Sequence, residues 1–264
     1  MNTEPLDLLP LWSLVLITAA LTGLAMEGGY RVGRRRHAHA AEEKDTPVGA
    51  MVGSILGLLA FLLAFTFSLA ATRFDDRRRV ILDEANAIGT TYLRARLLPE
   101  PQRSEAAALL REYVDVRLPD ISRGDASAIV AQAIRRSEAL QEALWARATA
   151  AAETKPTPIT GLFVVSLNEM IDIHAKRVFA SVRSRIPISI WAGLFTLALL
   201  GMAAVGYQAG LAATRRSPAM LGMVIAFGGV LFLIADLDRG HEGFLTVSRQ
   251  ALIDLQQSLK SPTP

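Results

Sequence analysis

Residues 65–100 read FTFSLAATRFDDRRRVILDEANAIGTTYLRARLLPE, an apolar run that crosses into dense charge with no proline before Pro99. Its first half suits lipid and its second half suits water. Upstream the apolar run reaches back to Pro47, so one unbroken helix is expected from about residue 48 to 97, with Gly89 as its one weak point. Beyond the apolar part, Phe74, Ile81, Ala85, Ile88 and Tyr92 keep a heptad-like stripe, so one face of the helix still has something to bury. The sequence therefore predicts a membrane-spanning helix that continues into a helical domain in water.

Working outward, four segments are long and apolar enough to cross a bilayer, or fall just short of it: about 8–26, 48–72, 186–207 and 219–235. The first is followed by Arg31, Arg34, Arg35 and Arg36 and has no basic residue before it, so it reads as a retained anchor. Between the second and third spans, apolar residues recur at spacings of three and four with almost no strand alternation. Three further helices are expected there: Pro101 to Leu118, about 125–152, and one from Ile159 that carries Phe163, Leu167, Met170 and His174 toward the third span. After the fourth span, Leu252, Leu255 and Leu259 share one face of a short tail with Ser248 as its expected N-cap. The fold class is all-α: an integral membrane protein with four spans and a water-exposed helical bundle between spans two and three. Its parts are an N-terminal pair of spans (1–72), the bundle (73–184), a C-terminal pair (185–240) and an amphipathic tail (241–264).

Composition bounds function. Hydrophobic residues make up 51% of the chain and charged ones 20%, a mixture that segregates into spans and a wet domain. The net charge is +3 with no basic tract interleaved with aromatics, so nucleic acid is excluded as a partner. No cysteine is present, which removes disulfides and thiolate chemistry. No HExxH, GxSxG or P-loop motif occurs, so no enzymatic activity, cofactor or metal is expected. Five Lys or Arg fall between spans one and two and two between spans three and four, which places those loops inside and the bundle outside a bacterial inner membrane; Arg73, Arg77, Arg78 and Arg79 beside the second span argue the reverse, and the loop count is preferred.

Three groups of residues stand out. Gly49, Gly53 and Gly57 recur every four residues in the second span, followed by Phe61 and Phe65; glycines at this spacing let helix backbones approach, within a protomer or between protomers. Four-residue steps drift about 40° each, so the phenylalanines turn away from the glycines toward lipid or toward an apolar gate. In the bundle, Glu84 and His174 lie eleven positions from Arg73 and Arg185 respectively, and Asn86 and Asp172 thirteen. If the two membrane-connected helices are antiparallel, these residues form a polar layer roughly 20 Å out, in which a Glu84 to His174 contact would raise the histidine pKa. At the membrane edge, Asp236 and Asp238 return to the level of Arg73, Arg77 and Arg185, and at least one Asp–Arg ion pair is expected.

Taken together, SILGLLAFLLAFTFSLAATRFDDRRRVILDEANAIGTTYLRARLLPE, SLNEMIDIHAKRV and LIADLDRGHEGFLTVSRQALIDL resemble the bestrophin-like domain family of bacteria across essentially the whole chain. Bestrophins are oligomeric anion channels whose second span lines the pore and continues into a wet helix marked by an aromatic, an acid and an arginine. RFDDRRR, from Arg73 to Arg79, is similar to that mark. The resemblance implies a homo-oligomer in the lipid bilayer that passes anions. A non-conducting scaffold or sensor subunit, binding a ligand or partner through the bundle, is the alternative.

Overall fold

The computed structural model describes residues 10–39, 48–119, 126–213, 218–239 and 244–261. Eight α-helices occur among them: α1 Leu11–His39, α2 Val48–Ala95, α3 Gln102–Arg117, α4 Ala126–Thr154, α5 Pro158–Val178, α6 Ile188–Leu211, α7 Pro218–Arg239 and α8 Gln250–Lys260. A π-helical turn, Phe179–Arg183, follows α5. Four helices, α1, α2, α6 and α7, are long and apolar enough to cross a membrane. The turn at 240–243 and the loop residues Lys44, Arg215 and Arg216 lie outside the described residues.

The helix expected from the opening stretch is continuous: 48 residues, or about 72 Å at 1.5 Å per residue. Its buried positions include Leu59, Leu63, Thr66, Ala70, Arg77, Ile81, Glu84, Ile88, Thr91 and Ala95. Apart from a gap bridged by the half-buried Arg73 and Phe74, these steps alternate between three and four residues, the 3.5-residue period of a coiled-coil seam. Gly89 does not break the helix. A Cβ there would stand 3.4 Å from Leu255 of α8, so the glycine lies where the last helix packs.

The chain divides into two compact units, residues 1–74 with 185–246, and residues 75–184 with 247–264. In the first unit α1 packs along α6 and α7. Its main apolar core joins Leu59, Leu63 and Ala70 of α2 to Trp191, Leu194 and Ala198 of α6 and Leu231 and Ile234 of α7. Glycines decide how closely α1 and α6 approach. A methyl group on Gly29 or Gly33 would overlap backbone atoms of Ala203 and Tyr207, and one on Gly206 or Gly210 would overlap those of Met26 and Tyr30. The four glycines form two GxxxG pairs, facing each other in register along parallel helices.

The second unit is a bundle of α3, α4, α5, α8 and the C-terminal half of α2. Its core gathers Ile88, Leu98, Leu110, Tyr113, Leu144, Phe163, Leu167 and Met170, all essentially inaccessible. Thr157 caps α5 through a reciprocal capping box with Thr160, and Pro158 fills the first turn. The tail is part of this core, because Leu252 and Leu259 are buried in it. Arg249, not Ser248, occupies the N-cap of α8, while the Ser248 hydroxyl accepts from the Gln250 N–H.

Candidate functional site

Three places carry the residues singled out above. The first is the outer face of α2 in the membrane unit. Gly49, Gly53 and Gly57 are exposed, and a Cβ added to Gly53 or Gly57 would meet nothing within 4 Å; at Gly49 it would meet the Gln208 side chain at 3.0 Å. Phe61 and Phe65 are 60% and 69% exposed, with ring centroids 5.7 Å apart. Thr66 and Thr72 turn their hydroxyls back to the carbonyls of Leu62 and Ser68, which satisfies them within the helix. Among the described residues, an apolar, uncharged strip of this helix from Gly53 to Phe65 thus meets little of its own chain.

The second place is the polar layer of the bundle. The N-terminal part of the layer on α2 and the C-terminal part on α5 face each other antiparallel, as the Thr91 hydroxyl donating to the Ser166 carbonyl (3.0 Å) and Arg94 donating to the Leu162 carbonyl (3.0 Å) fix. The partners differ from those expected. Glu84, fully buried, accepts from Arg117 Nε at 2.8 Å through one oxygen and from Arg177 through the other. His174 instead meets Tyr113, with 3.1 Å between Nδ1 and the phenolic oxygen, which also accepts from Gln141. Its pKa is pushed down to about 4, not up, because burial and the Arg117 charge outweigh the attraction of Glu84. Burial, with the Glu84 charge, raises Tyr113 to about 12. Asn86 and Asp172 do not join the layer: both are exposed, and Asp172 accepts from Asn168 on its own helix at 3.3 Å.

The third place is the end of α7. Asp238 accepts the Ile186 N–H at 3.0 Å and stands 4.0 Å from Arg185, whose guanidinium also donates to the Asp238 carbonyl at 2.8 Å. Asp236 pairs with no arginine. It is 1% exposed and accepts the N–H groups of Phe244 and Leu245. Backbone donors therefore meet the need that the helix dipole creates for that acid. Arg73 has a buried guanidinium nitrogen with no hydrogen-bond partner, and Arg77 is buried in the second unit. A cavity of about 30 Å³, lined by Thr18, Trp191, Phe232, Asp238 and Arg239 among others, has room for roughly two waters near this end of α7.

Sequence reasoning missed Arg117, Arg177 and Tyr113 in the layer and the glycines of α1 and α6. The repeated GYxxG of Gly29–Gly33 and Gly206–Gly210 was the available signal for the latter. Among the described residues no cluster of His, Asp and Glu suits a metal ion.

Comparison with known proteins supplies the family. The sequence matches the Bestrophin-like domain over residues 19–252. The chain belongs to that family. No curated protein matches the sequence significantly. Among solved structures, a crystal structure of a membrane protein superposes with TM-score 0.62 at 13% identity, over 94% of this chain and 97% of the other. A variant of a bacterial bestrophin homolog from Klebsiella pneumoniae superposes with TM-score 0.59, again at 13% identity, over 92% and 98%. At such identity the likeness is one of fold, and it spans the spanning helices and the bundle alike.

Proposed function

We propose that copies of this chain assemble around an axis lined by the outer face of α2 and form an anion-permeable pore. The observation that carries the reading is the unpartnered strip on that helix: glycines with open space, then two exposed, adjacent phenylalanines, and no charge. In lipid, glycines let neighbouring backbones approach, and a ring of phenylalanines makes an apolar constriction that gates by excluding water. Family membership supports a channel-like role for the chain. Arg73 and Arg185, with Arg185 steadied by Asp238, supply positive charge at the end of the conduction path and raise the local anion concentration there. The bundle stands in water on the extracytoplasmic side of the bacterial inner membrane, its polar layer fixing the register of α2 against α5.

Purified protein reconstituted in liposomes and assayed for chloride flux tests the pore. Flux that rises in Phe61→Ala and Phe65→Ala is the expected result. A wild type that is monomeric in mild detergent and passes no chloride overturns the pore and leaves the scaffold or sensor reading. Orientation is open to direct labelling, since the chain has no cysteine: Asp172→Cys should react with a membrane-impermeant maleimide added outside intact cells.

A further inference from the structure

The polar layer of the bundle has a surplus of donors and of positive charge. Glu84 offers two carboxylate oxygens, and both are taken by guanidiniums, Arg117 on one and Arg177 on the other. One buried negative charge thus faces two positive ones. Gln141 Nε2 can only donate, so the Tyr113 oxygen accepts there and its own proton goes to His174 Nδ1. Neutral His174 then carries its proton on Nε2. That atom is buried and has no partner. Ser137 lies one turn before Gln141 on the same face of α4, is 0% exposed, and its hydroxyl is also unpartnered. Elsewhere in the chain such hydroxyls bond back to the carbonyl four residues earlier, as Thr91, Thr149 and Ser181 do. Among the described residues, a buried imidazole N–H and a buried hydroxyl one turn from Gln141 thus lack partners beside a layer of excess positive charge, which points to a missing ligand that accepts and is negative.

We propose that this layer binds one small monovalent anion of the halide class, held by the His174 Nε2–H and the Ser137 hydroxyl in the field of Arg117 and Arg177. Water fits less well, because it adds two donors to a layer in which two guanidiniums already face one carboxylate. The site belongs to the bundle rather than to the strip of α2 described above, so it stands whether or not the protein conducts.

The experiment uses the full-length protein in detergent and has no flux readout. Crystals of the wild type grown in bromide should show an anomalous peak within hydrogen-bond distance of His174 Nε2. Thermal unfolding at constant ionic strength should rise by roughly 3 °C per tenfold increase in chloride above its dissociation constant, relative to gluconate. Ser137→Ala, a mild change at a helix position, should move the onset of that rise to at least about fivefold higher chloride. A map with water or nothing at the layer overturns the proposal, as does a melting temperature that responds equally to gluconate.

Discussion

The membrane unit and the bundle hold their helices together by opposite means. Between α1 and α6, the contact is made by removing side chains, so that backbone meets backbone at four glycines. In the bundle, helices are kept apart by large buried side chains such as Tyr113, Phe163 and Met170, and their register is set by a charged layer on Glu84. Lipid rewards no apolar burial, so contact there must come from close packing, whereas the bundle buries large apolar side chains and aligns its helices through a few buried polar groups. Those buried charges are costly if a partner is lost.

The largest effect should come from losing one. Glu84→Ala leaves two guanidiniums uncompensated and should destabilise the bundle by about 3–5 kcal/mol, whereas replacing Glu84, Arg117 and Arg177 together by Leu, Met and Met should cost far less or nothing. Chemical unfolding of purified variants distinguishes the two. Acid should act next most strongly, through His174 in the bundle. Since His174 has a folded pKa of about 4, below its unfolded value of 6.5, the unfolded state binds the proton first. Stability should therefore fall as pH drops from about 6.5 to about 4, by about 3 kcal/mol in all, and flatten below that. His174→Gln should remove this slope in a pH series of unfolding curves.

On the membrane side, Gly206→Ala should cost about 1–3 kcal/mol or more, because backbone atoms cannot yield as side chains do. Gly53→Ala, on the open strip of α2, should leave the monomer unharmed or stabilise it by up to about 1 kcal/mol through helix propensity. Equal losses for the two, in detergent melting curves, would break the comparison. The smallest effect belongs to Arg185→Gln. Its 4.0 Å ion pair with the Asp238 carboxylate is long, glutamine can still donate to the Asp238 carbonyl, and Asp238 keeps the Ile186 N–H, so about 1 kcal/mol is expected in the same assay.

The spans and the unbroken α2 were readable because length and polarity are local properties. The antiparallel register of α2 and α5 was nearly readable too, since counting residues from the membrane sets helix height. The partners were not. Arginine side chains reach a full turn, so Arg177 takes the carboxylate that counting had assigned to His174, and Arg117 arrives from a helix whose rotation no local pattern fixes. The α1–α6 glycines escaped for a different reason. Counting apolar residues ended the first span near residue 26, whereas α1 continues to His39 and places Gly29 and Gly33 in a contact beyond the counted run. Exposure of Gly53 and Gly57 inverts the same lesson: the most regular glycine series in the sequence is the one that touches least of its own chain.

The split make-up of the bundle has a consequence for biosynthesis. Its core needs Leu252 and Leu259, yet the chain between residue 184 and α8 must first supply two spans. At ribosomal speeds of about 5–20 residues per second, that interval lasts roughly 3–13 s. Throughout it, the groove over Gly89 that receives Leu255 stands open. The nascent bundle thus waits, incomplete and apolar on one side, for α8 to be translated, so that closing of that groove follows synthesis of all four candidate spans.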